Sequence, residues 1–114
     1  TSICCSCLIS ALGSQDRVQI TLYALVEPYP LAQGMLYHFD LYRLSEPSEL
    51  EYVGYRDYFN PDTICLVEWP ERGGGLLPEP ELEIEIQMES KLRKFCCTAK
   101  NMKGERLLKQ LTDT

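Results

Sequence analysis

The first 90 residues of this 114-residue chain contain only 4 lysine or arginine residues, against 15 aspartate or glutamate residues. Proteins that grip phosphate backbones usually present a basic face, so this scarcity and the net charge of −6 argue against nucleic-acid binding as the main activity. Residues 91–114 are basic, with 7 lysine or arginine residues against 2 acidic ones. This segment is either a solvated surface or a contact surface for RNA or an acidic partner.

A long hydrophobic segment is also missing. The apolar stretch at residues 3–12 is too short to span a bilayer, and no lysine or arginine precedes it as in a signal peptide. It is predicted to be a buried helix that ends at Gly13, a common C-terminal cap residue. The chain begins at Thr1 rather than at a methionine, so we expect it to start partway through a longer protein.

Histidine is represented only by His38, which limits the metal sites that the cysteines could form. The six cysteines are Cys4, Cys5, Cys7, Cys65, Cys96 and Cys97. Cys4 and Cys7 form a C-x-x-C pair, but Cys96 and Cys97 are adjacent and poorly spaced to chelate one ion. We therefore predict reduced, mostly buried thiols, with a zinc site as the alternative.

The segment from residue 20 to residue 44 predicts two strands that pair as a hairpin. Ile20–Val26 is rich in β-branched and aromatic residues and is expected to end at Pro28 and Pro30. Met35–Leu44 follows a turn and alternates as a strand does. This alternation places Tyr37, Phe39 and Leu41 on one face and His38, Asp40 and Tyr42 on the other.

The next segment predicts a helix and then a buried strand. Ser45–Phe59 has Ser45 as its N-cap and ends at the helix-breaking Asn60-Pro61-Asp62. Ile64–Val67 is short and continuously apolar, which is typical of a strand buried on both faces in the middle of a sheet. Glu68 follows this strand directly.

The C-terminal part predicts two more strands and a helix. Residues 82–88 alternate apolar with acidic or amide side chains, which indicates a half-exposed strand with an acidic outer face. Leu92–Ala99 adds another strand, and leucines at helical spacing predict a helix from Gly104 onward. Together these elements predict a mixed α/β domain without an internal repeat or a domain linker.

Two carboxylates, Asp40 and Glu68, lie at or near the ends of predicted strands. The carboxyl edge of the sheet is where open α/β folds form their ligand crevice. A carboxylate there can hold magnesium or polarise an attacking water. Alternatively, both are ordinary strand-end residues paired with Arg43, Arg56 or Arg72. From the residues alone, both interpretations remain open.

A family resemblance is carried by several motifs that occur in order between residues 18 and 78. The motifs are Leu25 to Tyr29, Tyr37 to Leu44, Glu49 to Glu51, Gly54 to Phe59, Ile64 to Gly73 and Leu77-Pro78. They resemble the TsaE family, also called YjeE, which are small bacterial P-loop ATPases required for the N6-threonylcarbamoyladenosine (t6A) modification of tRNA. The resemblance implies a P-loop NTPase-like mixed β-sheet flanked by helices. It also implies a cytoplasmic ATP hydrolase that uses ATP and Mg²⁺ and acts with the TsaB and TsaD proteins, meeting tRNA only indirectly.

The resemblance further implies roles for individual residues. Asp40, in the His-Phe-Asp-Leu-Tyr-Arg motif, would support ATP hydrolysis, and Glu68 would be a catalytic carboxylate associated with Mg²⁺. Trp69 would contact the nucleotide, although its residue type alone favours a packing role in the core. Ser2 stands where the family has its magnesium-binding hydroxyl, and would contact both the metal and the nucleotide.

The sequence departs from the family at the phosphate-binding loop. No G-x-x-x-x-G-K-[ST] motif occurs, and Thr1 stands where the family has its lysine. Ile20 to Ala24 replaces the family's Ser-Pro-Thr-Tyr-Thr segment. We therefore expect residues 1–114 to form one partial domain, truncated or divergent at its N-terminus and lacking the first strand and the phosphate-binding loop. Such a chain would bind ATP poorly by itself.

The sequence leaves three hypotheses about the function of the chain. The first is the ATPase component of t6A modification. The second is a non-catalytic protein-interaction module derived from that ATPase. The third and remotest is a metal-dependent hydrolase that uses Asp40, Glu68 and His38.

Overall fold

The computed structural model describes residues 25–32 and 34–112, which divide into two compact units. The first unit ends at Pro78, and the second begins at Glu79. The predicted helix at residues 3–12, the beginning of the predicted first strand and Ser2 all lie outside the described residues. None of the described helices is long and apolar enough to cross a membrane.

A three-stranded sheet forms the centre of the first unit. Strands β1 (Val26–Leu31) and β2 (Gly34–Asp40) form an antiparallel hairpin, but β1 shares only Val26 with the strand predicted at Ile20–Val26. Strand β3 (Thr63–Glu68) lies parallel to β2. Every residue of β3 is half-buried, and among the described strands β3 pairs only with β2. The prediction of a fully buried, central strand is therefore wrong for the described sheet. An unbroken apolar run indicates that neither face is polar, but it does not tell how completely each face is covered.

Strand β1 runs through Pro28 and Pro30, so the prediction that these prolines end the strand is wrong. Among the described strands β1 pairs only with β2, which makes it an edge strand. Every second N–H group of an edge strand points away from its partner, and proline is tolerated at those positions. The two prolines are two residues apart, so outward-facing positions accommodate both rings.

Strand β2 ends at Asp40, earlier than the predicted end at Leu44. The chain then forms a 3-10 turn at Leu41–Arg43, and the Asp40 side chain caps this turn. A side chain that accepts from a nearby backbone N–H offers the chain an alternative to the strand ladder. The apolar pattern continues past this point because Leu41 and Leu44 both enter the core.

The predicted helix from Ser45 to Phe59 is wrong as a single element. The structure has a short helix, α1 (Glu49–Tyr52), and a separate 3-10 turn at Tyr55–Tyr58. Gly54 between them has a φ of 66° and a ψ of 45°, a left-handed conformation that interrupts the helical hydrogen bonds. Ser48, rather than the first residue of the predicted helix, occupies the N-cap position of α1.

The core of the first unit forms around the end of β2 and the turns that follow. Its buried side chains are Phe39, Leu41, Leu44, Leu50 and Tyr55. Phe39 is fully buried and meets Tyr58 edge to face, with ring centroids 5.6 Å apart. This packing anchors the strand immediately before Asp40, so Asp40 leaves the sheet from a fixed position.

The second unit is a hairpin and a helix. Strands β4 (Leu82–Glu89) and β5 (Leu92–Ala99) confirm both predicted strands, and helix α2 (Met102–Thr112) contacts each of them. The helix starts two residues before the predicted start, so Gly104 lies inside it. A Cβ atom at Gly104 would lie 1.8 Å from the carbonyl oxygen of Glu81, which is why this helical position needs a glycine.

The cysteines in the described part of the chain are free thiols. Cys65, Cys96 and Cys97 are half-buried, and the Cys65 thiol donates to the Tyr58 carbonyl oxygen at 3.2 Å. The predicted zinc alternative involved the C-x-x-C pair, and Cys4, Cys5 and Cys7 lie outside the described residues. Within residues 25–32 and 34–112, no three His, Cys, Asp or Glu side chains are arranged to hold a metal ion.

Candidate functional site

Asp40 and Glu68 lie side by side at one edge of the sheet. Strands β2 and β3 are parallel, and their register makes these two residues Cα partners. Each is the last residue of its strand. Because neighbouring strands lie about 4.8 Å apart, both carboxylates leave the sheet at the same level and on the same face.

Two hydrogen bonds hold Asp40 in place. Its backbone N–H donates to the Leu25 carbonyl oxygen at 3.0 Å, and its Oδ1 accepts the backbone N–H of Tyr42 at 3.2 Å. The second contact caps the turn that begins at Leu41. Oδ2 of Asp40 makes no hydrogen bond to any described residue, so one carboxylate oxygen is occupied by the turn while the other can accept from a ligand.

Glu68 is oriented by a histidine on the neighbouring strand. Its Oε1 lies 2.8 Å from Nε2 of His38, and the two side chains are only 13% and 14% exposed. An ionised carboxylate can only accept, so Nε2 carries the proton and donates it. The contact has the length of a charge-assisted hydrogen bond.

The alternative in which arginines neutralise these carboxylates does not hold for Arg56 or Arg72. Arg56 donates to Glu51, and this hydrogen bond raises the pKa of Arg56 above its ordinary value. The guanidinium of Arg72 lies over the Tyr42 ring instead, 5.1 Å from its centroid. Both arginines are therefore engaged elsewhere.

Trp69 is not a core residue, so the packing interpretation is wrong. Its side chain is 42% exposed, and its backbone has a φ of 58° and a ψ of 51°. This left-handed conformation is uncommon for any residue with a bulky side chain. It begins the 3-10 turn at Pro70–Gly73 and turns the indole away from the core. Strained backbone of this kind is often found at ligand sites.

Trp69 and Tyr42 form an open aromatic cleft beside Asp40. Their ring centroids are 5.2 Å apart with an interplanar angle of 52°, and Tyr42 is 56% exposed. The cleft has a volume of about 500 Å³ and is lined by Asp40, Tyr42, Arg43 and Trp69. The sequence patterns did not identify Tyr42 or Arg43 as site residues, because both were assigned to a strand that ends earlier than predicted. The strand-ending Asp40, which can cap a turn, was the available signal.

Ser2 and His38 are the remaining residues predicted for the site. Ser2 lies outside the described residues. His38 lies close to Glu68, but its Nε2 is used in the hydrogen bond to that carboxylate. Within the described part of the chain, Asp40, Glu68 and His38 do not form a group of three side chains arranged to hold a metal ion. The metal-dependent hydrolase stays a prediction.

The donor set at the sheet edge suits a magnesium–nucleotide complex. Mg²⁺ prefers oxygen ligands and is commonly held by one or two carboxylates together with water and substrate phosphates. Asp40 and Glu68 supply two carboxylates on adjacent strands, and the exposed rings of Tyr42 and Trp69 lie at the same edge. The residues present therefore fit an ion that shares its coordination with a phosphate ligand.

Comparison with known proteins gives a consistent family match. The family profile described as "Threonylcarbamoyl adenosine biosynthesis protein TsaE" matches residues 2–95. A Haemophilus influenzae protein named tRNA threonylcarbamoyladenosine biosynthesis protein TsaE is 44% identical over 101 residues, covering 89% of this chain and 64% of that protein. A Bacillus subtilis protein of the same name is 33% identical over 76 residues, covering 67% of this chain and 47% of that protein.

A solved structure is also similar. The crystal structure of Bacillus subtilis YdiB matches with a TM-score of 0.60 and 27% identity, covering 84% of this chain and 60% of that one. The match confirms the predicted α/β fold. The chain spans about half to two-thirds of the length of the relatives that it matches.

Proposed function

The chain belongs to the TsaE family, and on that basis we propose that it acts in t6A modification of tRNA as the ATPase component. The observation that carries this proposal is the pairing of Asp40 with Glu68 at the carboxyl ends of two parallel strands. Two carboxylates in this arrangement are suited to a magnesium–ATP complex. Bound Mg²⁺ would supply positive charge against the phosphate oxygens during phosphoryl transfer.

The two carboxylates have different parts in the proposal. Glu68 is the primary carboxylate for Mg²⁺, because its side chain is mostly buried and already held by His38. Asp40 supports hydrolysis from the neighbouring strand, with Oδ1 engaged at the backbone of Tyr42 and Oδ2 able to accept from water or an ion. Ser2 would add a hydroxyl ligand to the same ion.

Trp69 contacts the nucleotide in this proposal, and Tyr42 assists it. Stacking a base on an exposed aromatic ring contributes about 1–3 kcal/mol of binding free energy. The indole is exposed, lies in the aromatic cleft and is adjacent in sequence to Glu68. A nucleotide held by its phosphates near Glu68 could therefore meet this ring.

The partners proposed for this function are TsaB and TsaD, with tRNA reached only through them. The basic segment gives limited support for direct RNA binding, because part of its charge is already paired. Lys100 lies 3.6 Å from Glu83, and Lys103 lies 3.6 Å from Glu81. We propose a cytoplasmic location on the basis of the family resemblance alone.

A second candidate function is a non-catalytic interaction module. It differs from the first candidate in needing no phosphate-binding loop, and the 114 residues contain no G-x-x-x-x-G-K-[ST] motif. In that case the 114 residues would bind TsaB or TsaD but would not hydrolyse ATP. Measuring ATP binding to the 114-residue chain by calorimetry addresses this directly, and we expect no affinity in the micromolar range.

The ATPase role is tested in a chimera that supplies a complete phosphate site. The 101 aligned residues of this chain replace the corresponding segment of the Haemophilus influenzae relative, and ATP hydrolysis is measured with TsaB and TsaD present. We expect Glu68→Gln to reduce turnover by roughly 10²-fold, the usual loss for one electrostatic group in a site. Glu71→Gln, an exposed carboxylate outside the site, is the matched control. Equal turnover in the two variants would remove Glu68 from the mechanism, and retained partner binding without hydrolysis would favour the interaction module.

A further inference from the structure

The hydrogen bond between His38 and Glu68 joins two adjacent parallel strands. His38 lies opposite Leu66 in the register, two residues before Glu68, so the imidazole reaches along the strand direction to the carboxylate. Side chains two residues apart on a strand share a face, and both groups are on the face that carries Asp40. The donor and acceptor are 2.8 Å apart, with little solvent exposure at either side chain.

This contact fixes one oxygen of the Glu68 carboxylate in a defined position. A glutamate has three rotatable bonds, so each contact that holds its carboxylate reduces the number of orientations available to it. With Oε1 bound to Nε2 of His38, the carboxylate keeps one orientation before any ligand arrives. Hydrogen bonds from side chains behind a metal-binding carboxylate or histidine commonly orient it and tune its affinity.

If this contact only stabilised the fold, apolar side chains would serve better than a histidine and a glutamate. Burying an imidazole and a carboxylate costs more than burying apolar side chains of similar volume, which would fill the same space between the strands. The hydrogen-bonded His38 and Glu68 lie close to Asp40, which is followed by the 3-10 turn at Leu41–Arg43. Its location matches a task at the site rather than one in the core.

We propose that His38 is a positioning residue that presents the Glu68 carboxylate to the Mg²⁺ of the bound nucleotide. The inference rests on the proposed ATPase function, because it assigns His38 a part in that same site. His38 acts through Glu68 and does not itself touch the ion.

The hydrogen bond can be examined without any nucleotide, because His38 is the only histidine in the sequence. ¹⁵N-histidine labelling of the 114-residue chain gives one imidazole in the NMR spectrum, observed at alkaline pH where imidazole is neutral. We expect the proton on Nε2, with its signal protected from exchange with water, and loss of that protection in Glu68→Leu. A proton on Nδ1 instead, or equal exchange in both proteins, would overturn the proposal.

The role in the site is tested in the chimera with two substitutions at the same position. His38→Phe removes the donor and keeps a ring of similar volume, while His38→Gln keeps an N–H donor. We expect His38→Phe to weaken the apparent Mg²⁺ affinity and turnover by about 10–100-fold, and His38→Gln to recover most of that loss. If both variants lose activity in proportion to their loss of thermal stability, His38 is only structural.

A double-variant cycle separates this inference from the proposed function. If His38 acts through Glu68, His38→Phe has no further effect in a Glu68→Gln background. An equal effect in both backgrounds would overturn the positioning role and leave the ATPase proposal intact. Failure of the unsubstituted chimera to hydrolyse ATP would instead overturn the proposed function.

Discussion

Substitutions at Asp40 can separate its structural contribution from its chemical one. Its Oδ1 accepts the Tyr42 N–H at 3.2 Å and caps the turn at Leu41–Arg43, while the carboxylate charge lies beside Glu68. Asp40→Asn keeps an oxygen that can accept the same hydrogen bond but removes the charge. Asp40→Ala removes both. Comparing the two variants therefore distinguishes loss of the cap from loss of the charge.

The expected loss of unfolding free energy follows from the hydrogen bond by which Asp40 caps the turn. Aspartate and asparagine are about equal as capping residues, and replacing either by alanine costs about 1 kcal/mol in an α-helix. The cap of Asp40 holds a turn of three residues at an exposed position, so we expect about 0.5–1 kcal/mol for Asp40→Ala. Asp40→Asn should change the free energy of unfolding by less than about 0.5 kcal/mol. With a urea dependence of about 1–3 kcal/mol per molar, the alanine variant should lower the midpoint by roughly 0.2–1 M, and by more than the asparagine variant does.

Urea unfolding of the 114-residue chain, followed by circular dichroism, measures the stability effect, and the chimera measures hydrolysis. We expect both variants to lose hydrolysis by on the order of 10²-fold, because both lack the charge. Only Asp40→Ala should lose stability. If the asparagine variant is as unstable as the alanine variant, the hydrogen bond to Oδ1 does not account for the stability effect. If the asparagine variant hydrolyses ATP normally, the negative charge of Asp40 is not needed for hydrolysis.

Two further substitutions test backbone features. Gly104→Ala would ordinarily stabilise a helix by up to about 1 kcal/mol, but here its Cβ would lie 1.8 Å from the Glu81 carbonyl oxygen. Overpacking costs about 1–3 kcal/mol, so we expect net destabilisation in thermal unfolding, and a raised melting temperature would contradict the close approach. At Trp69, glycine and alanine both remove the indole, but only glycine adopts a φ of 58° without strain. Trp69→Gly should therefore be about 1 kcal/mol more stable than Trp69→Ala, and equal stabilities would show that the left-handed backbone is not strained.

The elements that sequence patterns predicted well are those whose periodicity and ends are set locally. Strand β5 has the predicted bounds, and β2 begins within one residue of its predicted start. The family motifs likewise predicted that the chain belongs to the TsaE family, which the comparisons confirm. The roles of Asp40 and Glu68 stay predictions until they are measured.

The errors have physical causes that a single sequence does not display. Pro28 and Pro30 fit within β1 because it is an edge strand of the described sheet, and edge position depends on sheet order rather than on local residues. The helix from Ser45 to Phe59 divides because Gly54 adopts a left-handed conformation, which its residue type permits but does not require. Trp69 is exposed because of the turn that follows β3, whereas its residue type favours the core.

The candidate site depends on the strand register more strongly than on any one side chain. Side chains alternate along a strand, so a slip of one residue between β2 and β3 would turn Glu68 to the face opposite Asp40. The same slip would break the hydrogen bond from His38, because that contact spans both strands. The contact therefore resists the slip that would separate the two carboxylates. Phe39, packed against Tyr58 on the other face, opposes it from the core. The register that buries Phe39 is thus the one that pairs Asp40 with Glu68, which couples the stability of the sheet to the geometry of the site.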